Sequence, residues 1–146
     1  ALIDYNNDVI TDSLRLARHL GPLLKAVRVD TSKSLIDHYF DDKATSGFDP
    51  HGVSKELIFA LRKALDEENF DYVQIVVSSS FGAEKIEEWT KLKVPVDLYG
   101  VGTYFVNNTT CGFTGDLVRL DGKEQAKEGR RDYPNPRLKK VPFPVY

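Results

Sequence analysis

Four short runs of apolar and β-branched residues alternate along the chain with longer segments of helical periodicity, and this alternation constrains the fold more than any other feature. The runs lie at residues 2–5, 26–29, 72–77 and 96–99, and the helical segments between them at 10–20, 54–65 and 84–92. Strands that are separated by helices must be joined by crossovers, so they pair in parallel. The sequence therefore predicts an α/β fold with the element order β-α-β-α-β-α-β.

Residues that favour helix ends lie at the borders of the helical segments. The polar cluster at residues 6–8 offers caps for the first helix, and Gly21 with Pro22 favours its end. Ser54 is predicted to cap the second helix, because its hydroxyl can accept a hydrogen bond from a free N–H of the first turn. These signals support the helix positions that the periodicity predicts.

The number of predicted strands leaves two architectures open. A complete eight-stranded α/β barrel takes about 200 residues or more, whereas the chain has 146. A parallel sheet needs cover on both faces or closure into a barrel. Residues 1–105 are therefore predicted to form either a small open α/β sheet or about half of a parallel α/β barrel. Residues 106–146 are predicted to form a β-rich tail, with a β-hairpin at Asp121-Gly122 and then an extended, proline-containing end.

Composition excludes several classes of partner. The chain has 20 Lys and Arg residues against 22 Asp and Glu, a net charge of −2, whereas nucleic-acid-binding domains normally carry a basic excess. We therefore expect a small-molecule or protein partner and no nucleic acid. The sequence contains neither a long apolar run nor a signal-peptide pattern, so we expect no membrane partner. The single cysteine, Cys111, cannot form an internal disulfide, which favours a cytoplasmic location.

Polar or glycine-rich residues follow all four predicted strands, at the end of a parallel sheet where ligands bind. Asp4 follows the first strand, and Arg28 and Asp30 lie on and after the second. Arg28 and Asp30 are two positions apart, so alternation places both side chains on one face of the sheet. An arginine grips phosphate oxygens and a carboxylate accepts from ribose hydroxyls or binds Mg²⁺. The same two residues can also form ion pairs with neighbours.

Two further strand ends are candidate phosphate cradles. Gly100 and Gly102 allow close approach to the backbone N–H groups, and Thr103 adds a hydroxyl donor. Ser79 and Ser80 precede a predicted helix start, where free N–H groups and the helix dipole favour an anion. A simple turn at the glycines and simple helix capping at the serines are the alternatives.

Four motifs at these strand ends, taken in order, resemble the C-terminal half of nicotinate phosphoribosyltransferase. They are Ala1-Leu2-Ile3-Asp4-Tyr5, Val27-Arg28-Val29-Asp30-Thr31-Ser32, Ile75-Val76-Val77-Ser78-Ser79-Ser80 and Tyr99-Gly100-Val101-Gly102-Thr103. Later segments also resemble the tail of that family, namely Phe113-Thr114-Gly115-Asp116, Ala126-Lys127-Glu128-Gly129-Arg130 and Pro134-Asn135-Pro136-Arg137-Leu138. The ordered set covers nearly the whole chain and is far more specific than any single motif.

The resemblance implies a type II phosphoribosyltransferase, in which an irregular α/β barrel is joined to a β-rich domain. It implies that residues 1–105 are the C-terminal half of the barrel and that residues 106–146 pack on an N-terminal domain. Members of this family join nicotinate to 5-phosphoribosyl-1-pyrophosphate (PRPP), giving nicotinate mononucleotide and pyrophosphate in NAD biosynthesis. They use Mg²⁺ and couple the transfer to ATP hydrolysis, and so are similar to both glycosyltransferases and ligases.

The resemblance also implies roles for particular residues. Arg28 and Asp30 would contact the phosphoribosyl group, with Asp30 a candidate Mg²⁺ ligand, and Asp4 would line the site near the ribose or the metal. The 5′-phosphate would be held by the cradle residues of the last two strand ends, Ser79, Ser80, Gly100, Gly102 and Thr103. No certain catalytic residue is identified in this part of the family's sequence.

The same resemblance sets expectations about assembly and rivals. Because the family's N-terminal domain has no counterpart here, we expect the chain to be inactive alone. It would act with the N-terminal half of the same protein or with a second copy, as a homo-oligomer. The alternative functions are a segment of a nicotinamide or quinolinate phosphoribosyltransferase, or a non-catalytic half-barrel interaction domain.

Overall fold

A computed structural model describes residues 1–105, 115–137 and 139 of the chain. In these residues three helices and three strands alternate, and two very short strands follow. The elements are α1 (Val9–Leu20), β1 (Ala26–Val29), α2 (Lys55–Glu67), β2 (Gln74–Val77), α3 (Ala83–Lys91), β3 (Leu98–Tyr99), β4 (Arg119–Leu120) and β5 (Lys123–Glu124). Two 3₁₀ turns, Gly21–Leu23 and His38–Phe40, join them. No helix in the described residues is long and apolar enough to cross a membrane.

The helices match the predicted segments to within two residues at each end, and α1 and α2 are capped as the sequence predicts. Asp8 caps α1 by accepting a hydrogen bond from the N–H of Thr11 (3.2 Å), and Gly21 ends that helix with a φ of 51°. Ser54 caps α2 by accepting from the N–H of Leu57 (3.2 Å). The third helix differs, because its cap, Gly82, has no side chain to bond the free N–H groups.

The three principal strands form a parallel sheet in the order β1-β2-β3. The register aligns Arg28 with Val76 and Leu98, and Val29 with Val77 and Tyr99. Neighbours therefore follow chain order, without the reversal that characterises doubly wound sheets. The prediction of an α/β fold with a parallel sheet is confirmed.

The first predicted strand is shorter in the structure than the sequence indicates. It contributes a single parallel bridge, between Leu2 and Arg28, with the N–H of Ile3 donating to the Arg28 carbonyl (3.2 Å). The chain turns directly afterwards, and Asn7 adopts a φ of 54°. Residues 1–3 therefore extend the sheet beyond β1, whereas residues 4 and 5 do not pair as a strand because the turn takes them away.

One face of the sheet is covered by the helices and the other is open among the described residues. The covered face carries Val27, Val29, Ile75 and Val77, all with no exposed surface, and these pack in one core with apolar residues of α1, α2 and α3. The strand positions that alternate with these lie on the open face of the sheet, where Leu2 is 48% exposed and Leu98 is 53% exposed. A parallel sheet with one bare face is consistent with part of an α/β barrel, in which that face would line the interior.

The described part of the tail forms a small pair of strands and then returns to the sheet. β4 and β5 pair antiparallel around Asp121 and Gly122, which both have positive φ, as a two-residue turn of the hairpin type requires. Farther on, the N–H of Glu128 donates to the Tyr5 carbonyl (2.8 Å). Several predicted tail features lie outside the described residues, namely Cys111, Phe113, Thr114, Leu138, Pro142 and Pro144.

Candidate functional site

A cleft of about 390 Å³ opens at the carboxyl ends of the three adjacent parallel strands. We call it the strand-end cleft. It is lined by residues of all three strand ends, namely Arg28, Asp30, Ser78, Ser79, Ser80, Phe81, Gly100, Val101, Gly102 and Thr103. The structure therefore brings together seven of the eight residues predicted to bind substrate, and leaves out Asp4.

Arg28 and Asp30 both line the strand-end cleft, and no described residue neutralises either charge. Arg28 is exposed and Asp30 half-buried, and neither side chain forms a hydrogen bond or ion pair with another described residue. The alternative that they serve as internal ion pairs thus gains no support from the described contacts. A guanidinium and a carboxylate that point into one cleft can grip a phosphate and a hydroxyl group at the same time.

Ser79 and Ser80 hold an unusual backbone conformation at the end of β2. Both have positive φ, 78° and 63°, which costs a residue with a side chain about 1–2 kcal/mol. The turn leads directly into α3, whose first N–H groups have no side-chain cap. Ser79, Ser80 and Phe81 line the strand-end cleft, whereas the first residues of α3, Ala83 and Glu84, line a neighbouring pocket beside Tyr104.

The glycines after β3 have two different roles. A Cβ on Gly100 would lie 3.0 Å from the Cβ of Ser78, so this glycine is required for the close approach of two strand ends. A Cβ on Gly102 would meet nothing within 4 Å, which leaves its backbone open to a ligand. Thr103, the next residue, also lines the cleft and carries a hydroxyl group. Gly100 therefore shapes the cleft, and Gly102 and Thr103 are positioned to contact what binds there.

Asp4 does not line the strand-end cleft. Its side chain is almost fully buried, and one carboxylate oxygen forms an ion pair with Lys127 of the tail. The other oxygen has no hydrogen-bond partner among the described residues. Asp4 was predicted to line the site near the ribose or the metal; in this structure it lies outside the strand-end cleft and its carboxylate is paired with Lys127 of the tail.

The tail is fixed to the same end of the sheet by a second pair. His38 bonds Asp41 through Nδ1 and Glu128 of the tail through Nε2, each at 2.8 Å. The hydrogen bond to Asp41, and then that to Glu128, raises the pKa of this imidazole above its usual value. Nearby, burial raises the pKa of the Asp37 carboxyl to about 6, although it accepts N–H bonds from Tyr39 and Val9.

Sequence reasoning missed two contacts close to the strand-end cleft. Tyr104 packs its ring over Gly82, where an added Cβ would lie 2.8 Å from the ring, and so covers the start of α3. Lys127 reaches Asp4 from 123 positions away. A glycine at the start of a helix was a weak signal for the first contact, whereas nothing local in the sequence signals the second.

The donor set suits Mg²⁺ only in one mode. No group of three or more His, Cys, Asp or Glu side chains in the described residues is placed to hold a metal. Asp30 is the carboxylate that lines the strand-end cleft. Mg²⁺ is commonly held by one or two carboxylates together with substrate phosphates and water. Asp30 fits that shared mode, and a dedicated protein cage does not fit.

Comparison with known proteins gives a similar solved structure. The chain is similar to a crystal structure of nicotinate-nucleotide pyrophosphorylase from Pyrococcus furiosus, with 30% sequence identity and a TM-score of 0.56 over 90% of the chain. The chain spans 29% of the length of that protein. No protein-family model and no curated protein sequence matches the chain.

Proposed function

We propose that the chain is the phosphoribosyl-binding part of a phosphoribosyltransferase that makes nicotinate mononucleotide. The similarity to the Pyrococcus furiosus protein supports the phosphoribosyltransferase family of NAD biosynthesis. The observation that carries the proposal is the strand-end cleft, in which Arg28, Asp30 and the two predicted phosphate cradles meet. These residues come from three separate strand ends, and each is of a type that binds phosphate or ribose.

The proposed reaction depends on substrate binding and charge stabilisation more than on side chains that form covalent bonds. The bond from the ribose C1′ to pyrophosphate breaks, its electron pair leaves with the pyrophosphate, and the pyridine nitrogen forms the new bond to C1′. Positive charge develops on the ribose and negative charge on the leaving group. Positioning and preorganised electrostatics supply most of the rate enhancement in such transfers.

The residues of the cleft take the following roles in the proposal. The turn at Ser79 and Ser80 and the backbone at Gly102 with Thr103 bind the 5′-phosphate. Arg28 neutralises substrate phosphate, and Asp30 accepts from the ribose hydroxyls. Asp30 would help to hold Mg²⁺ with the substrate, and the ion would supply charge stabilisation for the leaving pyrophosphate. Coupled ATP hydrolysis rests on the motif resemblance, and we assign no described residue to it.

The open face of the sheet supports a shared barrel. Leu2, Val76 and Leu98 leave an apolar strip beside Arg28, on the face that the helices do not cover. We propose that further parallel strands, from the rest of the same protein or a second copy, complete the barrel there. The chain alone would then bind the phosphoribosyl group without catalysing its transfer.

A direct binding measurement tests the proposal. PRPP titrated into the chain by calorimetry should bind the wild type, and Arg28→Ala should weaken binding by roughly tenfold to a hundredfold, the loss expected for one charged hydrogen bond. Lys63→Ala, an exposed residue of α2 away from the cleft, is the matched control and should bind like the wild type. Equal PRPP affinity in the wild type and Arg28→Ala would refute the proposed role of the cleft. An absence of binding in both would favour a non-catalytic interaction domain.

The acceptor base is a separate question. Nicotinate and quinolinate both lead to nicotinate mononucleotide, the second with loss of carbon dioxide, whereas nicotinamide gives a different product. We propose nicotinate as the acceptor on the motif resemblance, with quinolinate the second candidate because the pyrophosphorylase neighbour acts at the same nucleotide. Turnover with each of the three pyridines, measured in the assembled protein, decides among them, and activity with quinolinate alone would refute nicotinate.

A further inference from the structure

A second cavity lies next to the strand-end cleft and plays no part in the function proposed above. We call it the outer cleft. It has a volume of about 680 Å³ and lies between the loop that follows β1, the start of α2, and α3. The residues of its lining that matter below are Lys33, Phe48, Lys55, Ser79, Lys85 and Trp89. Ser79 lines both clefts, so the two are separated by one residue.

Lys85 is held at the wall of the outer cleft by aromatic rings. Its ammonium lies 4.2 Å from the centre of the Phe81 ring and 5.0 Å from that of Trp89. It donates to the carbonyl of Val53 at 3.4 Å. These contacts fix the direction of the side chain without neutralising it, because none of them is a carboxylate.

A second ammonium faces the same space. Burial lowers the pKa of Lys85 below its usual value, and the nearby positive charge of Lys33 lowers this pKa further. The negative charge of Glu88 raises the same pKa by a smaller amount. The other charged groups nearby are largely paired with each other: Lys55 lies 3.9 Å from Glu88, and Asp49 lies 2.7 Å from His51. Glu56 in the lining is the remaining acid. Lys33 and Lys85 therefore repel each other at the outer cleft, and neither forms an ion pair with a carboxylate among the described residues, although Glu56 and Glu88 lie nearby.

The loop that carries Lys33 is fixed in place. The N–H of Gly52 donates to the Leu35 carbonyl (2.8 Å), and Ile36 forms an antiparallel bridge with His51. Gly52 has a φ of 68°, and a Cβ there would lie 3.2 Å from the Cα of Lys33. The backbone at Lys33 is thus held in place, so its exposed side chain reaches the outer cleft from a fixed position.

We propose that the outer cleft is a second anion site, which takes a phosphate-bearing ligand of about nucleotide size, separate from the phosphoribosyl donor. Its volume lies within the range of about 300–1,000 Å³ usual for small-molecule sites. An anion between Lys33 and Lys85 would remove their repulsion, and Phe48 offers an apolar wall for the rest of the ligand. Because Ser79 is common to both clefts, occupancy of one would alter the other.

Inorganic pyrophosphate is a suitable probe, titrated into the chain by calorimetry. We expect two sites in the wild type and one in Arg28→Ala, which keeps the outer cleft intact. The double variant Lys33→Ala/Lys85→Met should keep the strand-end site and bind at the outer site at least tenfold more weakly. Lys63→Ala is the control for the loss of a surface charge and should show both sites. A double variant that titrates like the wild type would overturn the proposal.

A chemical readout covers the case in which Lys85→Met destabilises the fold. The lowered pKa leaves more of the Lys85 amine neutral than that of an exposed lysine, so an acetylating reagent should modify it readily. In Arg28→Ala, pyrophosphate should slow acetylation at Lys85 at least fivefold and leave Lys63 unchanged, as followed by peptide mass spectrometry. Equal rates at Lys85 with and without pyrophosphate would overturn the outer site. If instead Arg28→Ala leaves PRPP binding unchanged while Lys85 is protected, the proposed function fails and the outer site stands.

Discussion

Replacing Ser79 and Ser80 by glycine should stabilise the chain, although both residues belong to the proposed phosphate cradle. Each serine has a positive φ, 78° and 63°, in the left-handed region. A residue with a Cβ pays about 1–2 kcal/mol to remain there, while glycine adopts it freely. Glycine also gains about 0.5–1 kcal/mol of conformational freedom in the unfolded chain, which opposes the substitution. The net gain is about 0.5–1 kcal/mol for each position.

Urea denaturation followed by circular dichroism, together with thermal melting, measures this gain. The double variant Ser79→Gly/Ser80→Gly should raise the free energy of unfolding by about 1–2 kcal/mol, which corresponds to roughly 3–6 °C in Tm for a chain of this size. The two residues are adjacent, so the gains need not add fully. An unchanged m value would show that the free energy of unfolding has changed without a change in the compactness of the unfolded state.

Two controls separate backbone strain from other effects. Ser78 precedes the turn, has no positive φ and donates its N–H to the Val29 carbonyl (2.9 Å), so Ser78→Gly should destabilise by about 0.5–1 kcal/mol. Ser79→Ala removes the hydroxyl but keeps the Cβ, and should bring no gain. If Ser79→Gly lowers stability as much as Ser78→Gly does, the argument from strain is wrong.

Three other perturbations test the contacts around the site. Gly82→Ala should displace the Tyr104 ring, because the new Cβ would lie 2.8 Å from it. We expect a several-fold lower affinity for PRPP with little loss of stability. Unchanged tyrosine fluorescence and unchanged PRPP affinity would contradict this. Lys127→Met should lower the free energy of unfolding by about 3 kcal/mol, because it leaves the Asp4 carboxylate buried and unpaired. Adding Asp4→Asn to that variant should recover part of the loss, as measured by the urea midpoint. No recovery would show that loss of the ion pair is not the cause. The folded-state pKa of His38 is raised above 6.5, so its contribution to tail docking is fully present below about pH 6.5 and is lost as the pH rises through the higher folded value. Hydrogen exchange at residues 125–130 should therefore quicken with pH beyond the intrinsic rate, and His38→Gln should remove that dependence; the same dependence in the variant would point to another group.

Short-range patterns in the sequence predicted what short-range physics determines. The run Ala26–Val29 is β1 with the same bounds, since alternate buried valines define a half-covered strand. The spacing of Arg28 and Asp30 placed both on one face, because strand alternation is a property of the backbone itself. The cap at Ser54 likewise depends only on the first turn of α2.

The contacts that sequence reasoning missed depend on distant or unusual geometry. The ion pair of Asp4 with Lys127 joins residues 123 positions apart, and nothing local distinguishes this lysine from a solvated one. The turn at Ser79 and Ser80 was predicted as a cradle but not as a left-handed conformation, because serine seldom adopts positive φ. Side-chain types indicated the chemistry of the cleft, whereas its shape required tertiary structure.

The bare face of the sheet couples burial of its apolar side chains to exclusion of water from the strand-end cleft. Leu2 and Leu98 line the face on which Arg28 also lies, so a segment that buries the leucines would at the same time shield the strand-end cleft from water. Interactions between charged groups strengthen as water is excluded. Under the proposed function, assembly of the barrel would therefore activate the site. The association that completes the hydrophobic layer would also desolvate Arg28, so that its charge binds phosphate more strongly.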